Sequence, residues 1–163
     1  TPGVLSRKDY AALQVIDSLL GSGMSSRLFK NLRDKDGLAY QLGSQYSPNA
    51  LKGAFIVYIG TNPENLNYAQ SRMLEEVFRL KKEFVGSKEL QEAKDKLLGH
   101  YIIGQETNLD KATTIGWFEA SGRGYKFDDQ YAQLINSVTE SDIIEVANKY
   151  FNNNYVLSIV KPD

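Results

Sequence analysis

Leu38-Ala39-Tyr40-Gln41-Leu42-Gly43-Ser44-Gln45-Tyr46 and, after a short break, Ala54-Phe55-Ile56-Val57-Tyr58-Ile59 decide the fold class. The first stretch alternates, with Tyr40, Leu42, Ser44 and Tyr46 on one face. The second is apolar on both faces and rich in β-branched and aromatic residues. Both read as strands, and Pro48–Gly53 suits a hairpin connection. Helical periodicity lies on either side. Upstream, Leu13, Ile16 and Leu20 recur three and four apart, behind Ser6 and Asp9 in capping-box spacing, which predicts a helix over 7–20. Gly21-Ser22-Gly23 breaks it, Ser25–Arg33 reads as a short second helix, and Asp34–Gly37 as a turn with Gly37 suited to positive φ.

Downstream, Asn62-Pro63-Glu64 signals a helix start, and Leu66, Ala69, Met73, Val77 and Leu80 form its apolar stripe. Ser87 reads as the cap of another helix, with Leu90, Ala93, Leu97 and Tyr101 inward. Three more are predicted over 108–121, 127–136 and 140–151, the last capped by Thr139 with Asp142. Tyr155–Val160 reads as a closing apolar strand. The order α-α-β-β-α-α-α-α-α-β is an α+β pattern rather than alternating βαβ units. A fourth strand is expected before Thr1. No repeat or low-complexity linker interrupts the chain, so residues 1–163 read as one domain.

Composition excludes several functions. Nineteen basic and twenty acidic residues leave a formal net charge of -1, which argues against a nucleic-acid or anionic-membrane surface as the main role. The absence of cysteine removes disulfides, thiol nucleophiles and Cys-based metal sites. One histidine, His100, cannot build a three-ligand His-rich zinc site. No run approaches the roughly 18 apolar residues of a membrane span, and no signal-peptide pattern is visible. The start at Thr1-Pro2-Gly3 reads as a processed end or a piece of a longer chain.

Few side chains suggest chemistry. His100 has Lys96, Leu97, Ile103 and Gly104 at the helical pairing positions, none a ligand. Gly21–Ser26 looks like a glycine-rich anion loop but lacks the Lys-Ser/Thr ending and follows a helix, so small turn residues explain it. Glu75-Glu76 and the acids of 89–95 lie beside lysines as solvated helix faces. Gly122-Arg123-Gly124-Tyr125 reads as an inter-helix turn, and Trp117 and Phe118 as packing residues. Arg33 and Tyr40, seven apart across one tight turn, can point into a shared space. A guanidinium and a phenol there suit a peptide carbonyl and an oxyanion developing on it. Arg at a helix C-terminus and Tyr in a strand also have ordinary structural uses.

Leu19–Phe29 followed by Leu32–Tyr40 resembles the M16 zinc metallopeptidases, the insulinase, pitrilysin and processing-peptidase-like family. The likeness is to the second, C-terminal M16 domain. Gly60-Thr61-Asn62-Pro63-Glu64-Asn65, Glu89–Leu97, Val138–Ile143 and Tyr150-Phe151 fit as well, so it covers nearly the whole chain. It implies a sheet, antiparallel-rich, packed on one face by helices. It also implies that zinc is held by a His-x-x-Glu-His motif in an N-terminal half, a motif absent here, so this chain alone is expected to bind no cofactor and to be inactive. That half, in the same polypeptide or as a separate zinc-bearing subunit, is the implied partner, and a peptide the implied substrate. Arg33 and Tyr40 are the implied catalytic and substrate-binding residues, holding the substrate backbone and steadying the scissile carbonyl. The short Gly21-Ser22-Gly23 favours a bacterial-type peptidase over a mitochondrial subunit, with cytoplasm and periplasm both open. The exposed face could also mediate self-association. The alternatives are a non-catalytic assembly or scaffold subunit and, further off, a small-molecule binder using Gly21–Ser26.

Overall fold

The first helix, α1 (Arg7–Gly21), is apolar almost all round, and its burial follows from that. Ala11, Ala12, Leu13, Val15, Ile16 and Leu20 are all at or below 1% exposure. A helix buried on every side belongs at the centre of a core. Three later helices and the first strand pack around it. Its start is fixed as expected: Ser6 Oγ accepts the Asp9 backbone N–H at 3.1 Å. The computed structural model describes residues 6–48 and 53–160.

The predicted hairpin strands form β1 (Gln41–Ser47) and β2 (Ala54–Gly60), paired antiparallel with Gln41 opposite Gly60 and Ser47 opposite Ala54. The connection expected over Pro48–Gly53 lies mostly outside the described residues. Leu42, Tyr46, Phe55, Val57 and Ile59 pack toward the helices, whereas Ile56 and Tyr58 stay 47% and 43% exposed on the bare face. One face covered and one solvated is the antiparallel pattern. The α+β reading therefore holds, with helices on one side of an antiparallel sheet.

α1 also closes the outer edge of β1. The Asp17 carboxylate accepts the Tyr46 backbone N–H at 3.0 Å and the Ser44 hydroxyl at 2.6 Å. Burial pushes the Asp17 carboxyl above its ordinary value, against the pull of these two bonds. Gly21 lies so close to Ser44 that no side chain would fit between them. Because the Tyr46 N–H turns to Asp17, alternation along the ladder sends the N–H and C=O of its partner Phe55, and of Val57 and Ile59, away from β1. Thus the outer edge of β2 is open among the described residues.

The remaining helices are α2 (Leu66–Arg79), α3 (Ser87–Ile103), α4 (Asn108–Ala120), α5 (Phe127–Ser137) and α6 (Glu140–Tyr150). Thr139 and Asp142 form the expected capping box on α6, and Thr107 with Asp110 forms a second one on α4. Asn62 precedes a single 3-10 turn, Pro63–Asn65, before α2 begins, and Gly86 rather than Ser87 holds the cap position of α3. Phe118 is buried and edges onto Phe127 at 4.9 Å, while Trp117 is 39% exposed with the Arg123 guanidinium 5.3 Å from its ring. Gly122 and Gly124, at φ 79° and 86°, make the expected turn between α4 and α5.

Two expectations need correction. The second helix is a π-helical turn, Phe29–Lys35, reached through one helical step at 27–28, so it ends two residues later than the spacing predicts. Tyr155–Val160 makes no strand pairing among the described residues. A strand needs a neighbour to complete its ladder, and the described sheet ends at β2, across a cleft from this run.

Candidate functional site

The π-helical turn Phe29–Lys35 carries Arg33 and is tied down from several sides. Leu32 is fully buried beneath it. The Asn31 side-chain amide donates to the Glu76 carboxylate at 2.9 Å, and Asp36 accepts from Arg72 Nε at 2.7 Å, so two α2 residues hold its two ends. Asp36 and Glu75 raise the Arg72 guanidinium above its ordinary pKa and keep it charged. Gly37, at φ 63°, reverses the chain as expected. The Leu38 N–H then returns to the Leu32 carbonyl at 2.9 Å, and the Leu38 carbonyl accepts the Thr61 hydroxyl at 2.8 Å. Leu38 and Ala39 are buried, which leaves Tyr40 on a short bridge into β1.

The two predicted site residues do come together. Arg33 Nη1 donates to the Tyr40 carbonyl at 3.3 Å, and the guanidinium carbon sits 4.6 Å over the Phe29 ring. Tyr40 is 94% exposed, an unusual fate for so large a side chain directly after the buried Leu38 and Ala39. It precedes β1 instead of lying inside it, so it does not share the inward face of Leu42 and Tyr46 that the alternation predicted. Both residues line a polar cleft of about 770 Å³ with Asp34, Thr61, Asn62 and Asn65. π-helical turns recur at functional sites because the extra residue per turn re-aims a side chain. The arrangement offers one fixed cation and one free hydroxyl to a ligand with carbonyl or carboxylate oxygens.

Other candidates resolve into structure. Ser26 Oγ donates to the Gly23 carbonyl at 2.8 Å, and Lys96 Nζ donates to the Ser22 carbonyl, so the glycine loop is closed by its own chain and by α3. Burial and nearby Lys30 push the Lys96 amine below its ordinary value. His100 is exposed on α3, and no group of three or more His, Asp or Glu side chains could hold a metal among the described residues. Glu76, read as solvated, is 1% exposed and ties the π-helical turn to α2. Thr61, Asn62 and Asn65 were missed as cleft residues, although the Gly60–Asn65 motif already marked the segment.

The family model described as the peptidase M16 inactive domain matches residues 1–97. The chain belongs to the M16 peptidase inactive-domain family. An uncharacterized zinc protease of Streptomyces coelicolor is 33% identical over 99% of the M16 domain described here and 35% of its own length. A protease from Helicobacter pylori superposes with a TM-score of 0.78 at 26% identity, over 94% of this M16 domain and 37% of that chain. An M16 inactive domain from Pseudomonas fluorescens gives 0.80 at 24% identity over 88% and 34%, a likeness of fold. The M16 domain spans just over a third of the length of the curated relatives it matches. These relatives are bacterial proteins. No described helix is long and apolar enough to cross a membrane.

Proposed function

We propose that this M16 domain is the half of a bacterial zinc peptidase that carries no metal, and that it forms one wall of a peptide-enclosing chamber. In the assembled enzyme the zinc, held by a second M16 half, supplies an activated water. The residues of this chain bind and orient the peptide. Arg33 holds a backbone carbonyl or carboxylate, and the Tyr40 hydroxyl donates to the scissile carbonyl oxygen as negative charge develops there. The observation that carries this reading is the pairing of a 94% exposed Tyr40 with an Arg33 pinned by Phe29 and by the Tyr40 carbonyl. A phenol with no packing role, on a backbone fixed at Leu38, is suited to work on something outside the chain. The names of the relatives, zinc proteases, support the reaction class. The bare sheet face with Ile56 and Tyr58 supports a wall facing an interior.

The test is Tyr40→Phe in the enzyme assembled with its zinc-bearing half. Loss of one oxyanion donor should lower kcat by roughly 100- to 1,000-fold, with little change in KM. Arg33→Ala should act chiefly on KM. Normal turnover by a folded, zinc-loaded Tyr40→Phe enzyme would remove the phenol from the reaction and favour a scaffold role.

A further inference from the structure

We propose that Arg72 and Glu76, one turn apart on α2, are positioning residues that set the width of the π-helical turn Phe29–Lys35 and through it the aim of Arg33. The kinetic consequence rests on Arg33 as a peptide-binding residue; the geometric one does not. The bond pattern of the turn is the first observation. In an α-helix the Asp36 N–H would donate four residues back, to Leu32. Here it donates five back, to the Asn31 carbonyl at 3.1 Å, and the freed Leu32 carbonyl takes the Leu38 N–H at 2.9 Å. Asn31 and Asp36 are therefore the two ends of the widened step. Side chains of α2 grip both. The Asn31 amide donates to Glu76 Oε1 at 2.9 Å, and Asp36 Oδ2 accepts from Arg72 Nε at 2.7 Å. The two grips lie four residues apart on α2, about 6 Å along its axis, and the ends they hold are five residues apart in the turn. A rigid helix supplies a fixed spacing, and the turn is wound to meet it.

The second observation is the burial of Glu76. The residue is 1% exposed, with Arg79 Nη1 at 3.1 Å from Oε1 as its counter-charge. An apolar side chain of similar size would pack there without loss, because desolvation offsets the attraction of a buried ion pair. What the carboxylate supplies instead is a directional acceptor for Asn31, two residues before Arg33. At the other end Asp36 and Glu75 hold the Arg72 guanidinium between them. The side chain that these contacts aim is Arg33, seated over Phe29 of the same turn with its Nη1 on the Tyr40 carbonyl. Rewinding residues 29–36 to α-helical pitch would rotate Arg33 out of that seat.

The experiment releases each end in turn. Glu76→Met removes the acceptor but keeps an apolar chain of similar length, Glu76→Gln restores an acceptor without the charge, and Arg72→Met frees the other end. In the 163-residue chain the nuclear magnetic resonances of the Arg33 side-chain protons report the seat, because the Phe29 ring current shifts them, and Phe29→Leu gives their unshifted position. Glu76→Met and Arg72→Met should move these resonances toward the unshifted position while the chain stays folded in a thermal melt. Glu76→Gln should leave them in place. In the enzyme assembled with its zinc-bearing half, Arg33→Ala should raise KM by about 10- to 100-fold, the worth of a charged hydrogen bond. Glu76→Met should raise it by roughly 3- to 10-fold, and the double variant should be no worse than Arg33→Ala alone, since Glu76 acts through Arg33. Resonances unmoved in both methionine variants would overturn the proposal, and so would effects on KM that multiply. If Arg33→Ala leaves KM unchanged, the peptide-binding reading falls and the resonances alone decide the positioning.

Discussion

Replacing Gly21 by alanine isolates the contact on which the sheet is mounted. A Cβ there would lie 1.9 Å from the Ser44 backbone nitrogen, 2.3 Å from its Oγ and 2.7 Å from the Gly43 carbonyl carbon. Backbone cannot swing aside as a side-chain tip can. The upper end of the overpacking range, about 3 kcal/mol, therefore applies. Displacing Ser44 also strains its 2.6 Å bond to Asp17 and the neighbouring 3.0 Å bond from Tyr46, at about 1 kcal/mol each. Alanine returns up to about 1 kcal/mol of helix propensity. The net loss is about 3 kcal/mol or somewhat more, which in a domain of this size lowers Tm by roughly 6–12 °C. Urea unfolding followed by far-ultraviolet circular dichroism measures it, with two internal comparisons. Gly23→Ala meets no atom within 4 Å but must hold φ near 71°, so it should cost about 1–2 kcal/mol from backbone strain alone. Gly43→Ala meets the Tyr58 hydroxyl at 2.8 Å, the far end of a side chain that can turn away, and the Gly21 carbonyl oxygen at the looser distance of 3.1 Å, so it should cost about 1–2 kcal/mol, less than Gly21→Ala. A Gly21→Ala loss no greater than that of Gly23→Ala would refute the close α1–β1 approach as the source of the effect.

Tyr40→Phe should leave stability unchanged within about 0.5 kcal/mol, because the hydroxyl touches nothing that holds the fold; a thermal melt checks this and separates a loss of turnover from a loss of structure. Thr139→Ala removes the capping hydroxyl that accepts the Asp142 N–H and should cost about 1 kcal/mol in a urea titration. The Arg27 guanidinium grips Glu89 through two bonds of 2.8 Å and holds that carboxyl below its ordinary value of 4.5. Since the folded value is the lower one, the pair stabilises fully above about pH 4.5 and loses its effect as pH falls through the folded value. Glu89→Gln should therefore be less stable than the parent at pH 7, by up to about 1 kcal/mol for a pair this exposed, and the gap should close in acid. A gap that widens in acid would reverse the assignment.

Much of this architecture is local and so can be read from local sequence. Leu13, Ile16 and Leu20 mark the buried helix, and Thr139 with Asp142 mark a cap, because both depend on residues within one or two turns. Thr107 and Asp110 have the same spacing, so the cap of α4 was equally readable. Widening of the Phe29–Lys35 turn was not, since its ends are held by Asn31 to Glu76 and Asp36 to Arg72, partners 45 and 36 residues away. Gly21 is small for a reason that exists only once Ser44 is beside it. Arg33 and Tyr40 were legible as a pair across a tight turn, but the exposure of Tyr40 was not. It follows from where β1 begins, one residue later.

The Asp17 carboxylate that occupies the Tyr46 N–H has a consequence for colloidal behaviour. Among the described residues the sheet is monovalent in backbone pairing: one flank is spent on α1 and one is available. Two such molecules can satisfy each other by a twofold contact, and neither then has anything left to offer a third. Mispairing through this sheet ends in a closed couple, and growth into a filament would first require α1 to leave β1.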